Sequence, residues 1–288
     1  MANTRELRRR IKSVKNTAQI TKAMQMVAAT KMRRAEAQAM AGRPYLQVVA
    51  KSLQKLFRSP QARSYQNPLL NSTEKGATGI LLLSTDKSLC GALNANLLRF
   101  THKFMQNIEH PVFYTVGKKG RNFVVKMSQE LFADFENNDS VSFQEGAQMA
   151  KMMAASFLKG ELKNAFIIYP HFISALTQEP RASQLLPLDK KAFTEVELEN
   201  EGSEDYLLEP KAQDLLDYLI THFYETTTYQ ALLETKASEH SARMLAMQNA
   251  TDNAKELAGD LNLLYNQTRQ ASITNELLEI TSAVAALE

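Results

Sequence analysis

The chain has 288 residues, of which 44% are hydrophobic and 23% are charged, and its formal net charge is +3 at pH 7. No apolar run approaches the roughly 20 residues that span a bilayer, and the first residues are basic and helix-forming, so we expect no secretory signal. Cys90 is the only cysteine, which excludes an internal disulfide and suits a reducing cytosol.

The charge is distributed unevenly along the chain. Residues 1–43 carry eleven Lys and Arg against two acidic residues, a net charge of +9, whereas residues 211–288 carry five basic and eleven acidic residues, a net charge of −6. The residues between them are balanced. Opposite charges favour pairing of the two ends, and the excess of positive charge at the N-terminus indicates an acidic partner.

The N-terminal 41 residues contain neither Pro nor Gly, and their apolar or small residues recur at alternating steps of four and three. This spacing is typical of a coiled-coil seam. It predicts a helix from about residue 3 to Gly42, a break or kink at residues 42–44, and a second helical segment over residues 45–57. The seam consists of Leu7, Ile11, Val14, Ala18, Thr21, Gln25, Ala28, Met32, Ala35 and Ala39.

The C-terminal stretch, residues 211–288, contains no proline and a single glycine, Gly259. Read as one helix it would be about 115 Å long, which is too long to be enclosed in a compact chain of this size. We therefore predict that it projects and pairs antiparallel with the N-terminal helix. Two separate long helices in a larger bundle are the alternative. Its apolar positions are a run at Leu257, Leu261 and Leu264 and a later seam at Ile273, Leu277, Ile280, Val284 and Leu287.

The register of this pairing follows from the helix lengths. Residue n of the first helix should lie opposite about residue 267 − n of the last. The residues beyond Tyr265 would then have no partner within the chain, although they carry the later seam. Five exposed apolar side chains would be an unusual patch, so we predict that a partner covers them.

The middle of the chain predicts an α/β domain over residues 77–205, preceded by a linker over residues 59–76. Short apolar runs bounded by turn residues alternate with helical patterns, which indicates βαβ units and a parallel sheet covered on both faces. The predicted strands are 77–84, 110–116 and 164–169, with further strands near 178–187 and 193–198. The predicted helices are 91–106, a short helix that follows the turn at residues 117–120 and extends through residue 127, and 143–159.

The sequence contains no convincing catalytic constellation. Neither glycine-rich nucleotide motif occurs, and the five histidines have no metal-ligand spacing. The turn Gly117-Lys118-Lys119-Gly120 is a weak phosphate signal, and a simple basic turn is the other reading. Asp86, Lys87 and Ser88 follow the first strand, where such residues commonly cap a helix. We therefore predict no catalytic residue, cofactor or metal.

A basic cluster near the N-terminus leaves three readings open. Phosphate contacts to nucleic acid need only positive charge, but no aromatic residue interleaves the cluster for base stacking. A membrane-surface helix is disfavoured by the narrow seam of small residues. A solvated basic face, or one docked on an acidic protein surface, is the favoured reading. The cluster consists of Arg5, Arg8, Arg9, Arg10, Lys12 and Lys15.

Three segments resemble one protein family along the whole chain, the γ subunits of F-type ATP synthases. Residues 7–34, LRRRIKSVKNTAQITKAMQMVAATKMRR, closely resemble that family's N-terminal helix. Residues 86–94, DKSLCGALN, resemble its D-[KR]-G-L-C-G-x-x-N turn, with Ser88 in place of Gly. The third segment, residues 239–288, follows the C-terminal pattern, except that Ala283-Val284 replaces Gly-Ala. The pattern includes Arg243-Met244, Tyr265-Asn266, Arg269-Gln270-Ala271 and Ile273-Thr274-x-Glu276.

The resemblance implies a central rotor shaft. The fold would be α/β, with an antiparallel coiled coil of the terminal helices (residues 1–58 and 210–288) and a Rossmann-like parallel-sheet domain. The chain itself would not be catalytic: it would couple ion flow through a membrane c-ring to ATP synthesis or hydrolysis at the β subunits. The implied partners are the α and β subunits of the hexamer, the ε subunit and the c-ring, with no nucleic acid. The implied location is the cytoplasmic side of the bacterial plasma membrane, as a peripheral protein.

The resemblance also indicates which residues contact the hexamer. On the first helix Arg8, Arg9, Arg10, Lys12 and Lys15 would meet an acidic β-subunit surface. On the last helix the polar contacts would be Arg243, Arg269, Gln270, Thr274 and Glu276, and the apolar tip would be Ile273, Leu277, Ile280, Val284 and Leu287. A coiled-coil nucleic-acid-binding or scaffold protein with an α/β head is the alternative function, and a stand-alone enzyme is the third.

Overall fold

The structure is a computed structural model that describes residues 4–58, 65–71, 75–188 and 212–285. Two long helices, α1 (Thr4–Arg58) and α5 (Ala212–Ala285), lie at the two ends of the chain. The chain divides into two compact units, and both helices contribute to each. We name residues 1–29 and 243–288 the paired-helix unit, and residues 30–242 the α/β unit.

In the paired-helix unit the predicted seam of α1 is confirmed. Leu7, Ile11 and Ala28 are buried and the seam positions between them are half-buried, whereas the neighbouring positions other than Met24 and Ala29 are exposed. On α5 the buried positions also alternate by four and three residues: Met247, Thr251, Ala254 and Ala258. This spacing is that of a helix pair whose seams face each other.

One hydrogen bond gives the register of this pair. The hydroxyl of Thr251 donates to that of Thr21 over 2.8 Å, whereas helix counting placed Thr21 opposite Ala246. The predicted apolar run at Leu257, Leu261 and Leu264 lies on the seam only at Leu261, which is half-buried, whereas Leu257 and Leu264 are 49% and 45% exposed. Small residues form this seam instead, because Ala254 and Ala258 allow the helices to approach closely.

The sequence predicted a break or a kink at Gly42-Arg43-Pro44, and the break is wrong, because α1 continues through Pro44. A proline inside a helix costs about 3 kcal/mol. The turns that follow it bury Val49, Leu53, Leu56 and Phe57 at helical spacing, and each such side chain contributes about 1.5–3 kcal/mol. Burial of the following turns therefore outweighs the cost of the proline.

The α/β unit contains a five-stranded sheet among the described residues, with strand order β3-β2-β1-β4-β5. The strands are β1 (Ala77–Leu83), β2 (Pro111–Val116), β3 (Glu130–Phe135), β4 (Leu162–Phe172) and β5 (Gln178–Leu186). The connecting helices are α2 (Leu93–Met105), α3 (Lys118–Lys126) and α4 (Phe143–Leu158). Strands β1 to β4 are parallel, as predicted, and β5 runs antiparallel to β4.

The two faces of the sheet have separate cores. Strand β1 is buried almost throughout, and its side chains alternate between the faces. Ile80 and Leu82 pack in the core that includes Leu97 of α2 and Val124 of α3. The neighbouring leucines of β1 pack in the opposite core, with residues of α1, α4 and α5. The predicted sheet covered on both faces is thereby confirmed.

Strand β3 was not predicted from the sequence. It lies at the edge of the sheet and alternates exposed and half-buried residues. Its exposed Glu130 and Asp134 interrupt the apolar run that marks the central strands. The strand predicted at residues 193–198 lies outside the described residues.

Part of the segment predicted as a linker is packed. A short 3-10 turn, Pro68–Leu70, is capped by the side chain of Asn67, and Leu69 is buried. The hydroxyl of Tyr65 donates to Asp217 of α5 over 2.5 Å, and the amide of Asn67 donates to the same carboxylate over 2.7 Å. These contacts fix the turn to α5.

Candidate partner-binding surface

The basic segment, which we define as Arg8, Arg9, Arg10, Lys12 and Lys15, lies in the first turns of α1. Leu7 and Ile11 anchor these turns to the paired-helix unit. All five basic side chains are exposed. Arg10 forms an ion pair with Glu6 over 2.7 Å, and both side chains remain about half exposed or more. An exposed pair of this kind contributes little to stability, so the segment keeps its positive charge at the surface.

The C-terminal segment, which we define as residues 269–283, is exposed except at Ser272, which is half-buried. Ile273, Leu277 and Ile280 are 48%, 57% and 60% exposed. The predicted polar contacts Arg269, Gln270, Thr274 and Glu276 are exposed as well. The side chains of the two remaining tip residues, Val284 and Leu287, lie outside the described residues.

The register brings the two segments towards the same end of the paired-helix unit. Antiparallel pairing from Thr21 and Thr251 places the start of α1 beside Thr268. The C-terminal segment therefore extends beyond the described start of α1. This is why no helix among the described residues covers its apolar side chains. Arg243 is separate from this group: it is half-buried, many turns away along α5.

Sequence reasoning missed an apolar feature on α1 itself. Ile20 and Val27 lie one heptad apart, beside the seam, and they are 62% and 58% exposed. The signal was present, because each is a large apolar residue directly before a seam position. Both side chains lie on the exposed surface of the paired-helix unit.

The weak phosphate signal at the start of α3 is a structural turn. The backbone N–H groups that could bind an anion there already have acceptors within the chain. Lys118 N–H donates to the Asp86 carboxylate over 2.8 Å, and Gly120 N–H donates to the Ser84 hydroxyl over 2.7 Å. Lys119 N–H donates to the carbonyl of Thr85 over 3.1 Å. The second reading of this sequence, a basic turn, is the one that fits.

The turn after β1 is held together by its own side chains. Asn94 donates to the hydroxyl of Thr85 over 2.8 Å and lies 3.1 Å from the sulfur of buried Cys90. The left-handed backbone positions are Leu89 and Gly91, with φ of 65° and 57°. Ser88 is therefore not at a position that needs glycine.

The electrostatics of the neighbouring loop fit the same structural role. Lys31 of α1 forms an ion pair with Asp139 over 2.7 Å. This hydrogen bond lowers the pKa of Asp139 below its ordinary value, with smaller contributions from Lys236 and Lys87.

Within the described ranges, no group of three or more His, Cys, Asp or Glu is placed to hold a metal ion. None of the described helices combines the length and apolar character that a membrane crossing requires.

Fold and surface together define a class of protein: an α/β domain carried on two long antiparallel helices, with an exposed basic segment and an exposed apolar end. Residues 3–287 match the family model described as ATP synthase. The ATP synthase gamma chain of Dehalococcoides mccartyi is 41% identical over 289 residues, and the match covers 100% of both chains. That of Methylacidiphilum infernorum is 42% identical over 296 residues, again with complete coverage of both chains. The chain belongs to the family of ATP synthase γ chains.

Solved structures agree with this fold. A chain from the central stalk and c-ring of the Tetrahymena thermophila mitochondrial ATP synthase is 26% identical, with a TM-score of 0.60; the match covers 80% of this chain and 99% of that one. A chain from the Euglena gracilis mitochondrial ATP synthase, in rotational state 3, has a TM-score of 0.70 at 23% identity, covering 99% of this chain and 94% of the other. At that identity the second likeness concerns the fold alone.

Proposed function

We propose that this chain is the central-stalk rotor subunit of an F-type ATP synthase. It couples ion flow through a membrane c-ring to ATP synthesis or hydrolysis at the β subunits, and it is itself not catalytic. Family membership supports the assignment. The observation that carries the mechanism is the exposed C-terminal segment, whose apolar side chains extend beyond their intrachain partner.

The charge of the first helix gives this rotor an asymmetric surface. Arg8, Arg9 and Lys12 are exposed on turns that the buried seam holds in place. They would meet acidic surfaces of the β subunits, where positive charge on one side of the shaft lowers the energy of one subunit relative to the others. Such long-range attraction between surfaces is sensitive to salt. Asymmetric charge would therefore bias three otherwise equal catalytic sites.

The C-terminal segment would act as a bearing inside the hexamer. Apolar contact is non-directional, so a collar around Ile273, Leu277 and Ile280 would bury them without creating deep minima at particular angles. Val284 and Leu287 would continue this apolar surface. Arg269, Gln270, Thr274 and Glu276 would contact β-subunit loops beside it, and Arg243 would make a separate contact further along α5.

The partners follow from this role. The α and β subunits would surround the paired-helix unit, and the α/β unit would bind the ε subunit and the c-ring. The protein would be a peripheral membrane protein on the cytoplasmic side of the bacterial plasma membrane. No nucleic acid is required, because the basic segment has an acidic protein surface to meet.

Cross-linking in the assembled complex tests this proposal. An Arg269→Cys variant should form a disulfide with a cysteine introduced in a facing β-subunit loop, and the link should block repeated turnover while a single catalytic event persists. Because Cys90 is buried, the introduced thiol is the reactive one. The matched control places the cysteine at exposed Lys159 of the α/β unit, where no link to β should form. Unchanged steady-state turnover with the Arg269→Cys link fully formed would overturn the rotor assignment.

A further inference from the structure

Helix α5 has an unusual segment inside the α/β unit. From Gln230 to Ser241 every residue is buried, yet more than half of them are polar or charged. Buried polar groups are stable only when they are hydrogen-bonded. An apolar helix would have buried the same surface without the free-energy cost of desolvating polar groups. The hydrogen bonds of these polar side chains therefore indicate a specific role.

Four of the polar positions form one stripe along the helix: Gln230, Glu234, Ser238 and Ser241. Their spacing of four, four and three residues keeps them on the same face over three turns. Each of these four side chains forms a hydrogen bond with an element outside α5. We name these four residues the polar stripe.

The first half of the polar stripe bonds to α1 and to β4. Gln230 donates to the carbonyl of Ala39 over 2.9 Å. Arg43 of α1 donates to the Glu234 carboxylate over 3.0 Å and to the carbonyl of Phe172 over 2.5 Å, so it joins α1, α5 and the sheet. The second oxygen of Glu234 lies 2.5 Å from Nδ1 of His171.

The second half bonds to the sheet and its last turn. The hydroxyl of Ser238 donates to the carbonyl of Pro170 in β4 over 2.9 Å. That of Ser241 donates to the carbonyl of Ala175, in the turn between β4 and β5, over 2.5 Å, and it accepts from Gln178 over 3.4 Å. The carbonyls of Phe172 and Pro170 belong to β4, that of Ala175 belongs to the turn after β4, and that of Ala39 belongs to α1.

We propose that the polar stripe is the torque coupling between α5 and its α/β domain. Apolar burial has no preferred direction, so by itself it favours no particular rotation angle of the helix. Hydrogen bonds depend on angle and distance, and each buried one that breaks leaves an unsatisfied group. A stripe of such bonds on one face of α5 therefore resists both rotation of the helix about its axis and sliding along it. These four are positioning residues, and none of them is exposed to a partner.

The neighbouring threonines provide matched controls. Thr228 and Thr235 are also buried on α5, but their hydroxyls donate to the carbonyls of Tyr224 and Ala231 in the same helix. Changing both to Val removes two buried hydroxyls of α5 without touching a bond to another element. A double Ser238→Ala, Ser241→Ala variant removes two hydroxyls that do hold α5 to the sheet.

The experiment measures coupling under load in the assembled complex, and it rests on the rotor function proposed above. ATP-driven ion pumping is measured against an increasing opposing ion gradient, together with ATP hydrolysis. The serine variant lacks two of the four side chains of the polar stripe, so pumping should fail at a lower opposing gradient than in the parent complex. Hydrolysis without an opposing gradient should be unchanged. The threonine control should pump against the same gradient as the parent chain.

Each outcome decides a separate point. Equal pumping by the serine and threonine variants would overturn the torque coupling. Absence of any coupling in the parent complex would instead refute the rotor function. If the serine variant does not assemble, Gln230→Met takes its place, since it keeps the length of the side chain while removing the donor to the carbonyl of Ala39. Full coupling under load in that variant would then overturn the proposal.

Discussion

Replacing the apolar side chains of the C-terminal segment should weaken assembly with the partner subunits and leave the stability of the isolated chain nearly unchanged. The perturbation is a triple Ile273→Ser, Leu277→Ser, Ile280→Ser variant. About half of each side chain's surface is already exposed in the chain alone, and exposed substitutions usually change the free energy of unfolding by no more than about 0.5 kcal/mol each. The isolated chain should therefore melt at nearly the parental temperature.

Binding to the α and β subunits should weaken strongly. Full burial of one such side chain contributes about 1.5–3 kcal/mol, so burying the remaining half contributes about 0.8–1.5 kcal/mol each and about 2.5–4.5 kcal/mol for three. Since 1.4 kcal/mol is a tenfold change in affinity, we expect binding to weaken by about two to three orders of magnitude. The assay is titration of labelled chain into purified α and β subunits, with helical circular dichroism for the melt.

A control in the same unit gives the opposite pattern. Leu7 is 2% exposed, and Leu7→Ala should lower the free energy of unfolding by about 2–5 kcal/mol. If the triple serine variant destabilises the isolated chain as much as Leu7→Ala does, the segment packs on its own protein. Unchanged affinity for the α and β subunits would equally refute the bearing.

Three further predictions concern the isolated chain. Gly259→Ala should raise the free energy of unfolding by about 1 kcal/mol, because a Cβ there meets no neighbour, whereas Gly146→Ala should lower it by about 1–3 kcal/mol, because a Cβ there would lie 2.9 Å from the backbone of Tyr229; chemical denaturation of the two variants checks both signs. A double-mutant cycle of Lys31→Ala and Asp139→Ala should give a coupling of about 0.2–1 kcal/mol, since both side chains are largely exposed. Because the pKa of Asp139 is lowered, this coupling should be present above the ordinary carboxyl pKa and disappear as the pH falls through the lowered one; a coupling that persists in acid would contradict it. Burial, with a smaller contribution from Glu234, raises the pKa of Tyr169 to about 12, so stability should fall as the pH rises from the ordinary tyrosine pKa to that value, and Tyr169→Phe should reduce this fall in alkaline denaturation curves.

The sequence predicted those parts of the fold that depend on a strong local period. The seam of α1 and the strands β1, β2 and β4 were predictable, because each is a sustained apolar pattern of one period. Strand β3 was missed because its exposed Glu130 alternates with half-buried residues at the sheet edge. The alanine seam of α5 was misplaced because Leu257 and Leu264 are more apolar, although close helix packing selects the smaller side chains.

The surface was less predictable than the fold. Exposure of Leu277 and Ile280 followed from counting helix lengths, and the buried polar stripe did not. Glu234 looks like one of many acidic residues on a long solvated helix. Its burial depends on Arg43 and His171, which are remote in the sequence and meet it only in the folded α/β unit.

Direct observation of rotation tests the central claim. The complex of this chain with α and β subunits is fixed to a surface through β, and a bead is attached to a Lys159→Cys variant, whose thiol is exposed while Cys90 is buried. On addition of ATP the bead should turn repeatedly in one direction, and it should stop when Arg269→Cys is linked to β. A bead that stays fixed, or moves without direction, while the complex hydrolyses ATP at its full rate would contradict the rotor assignment.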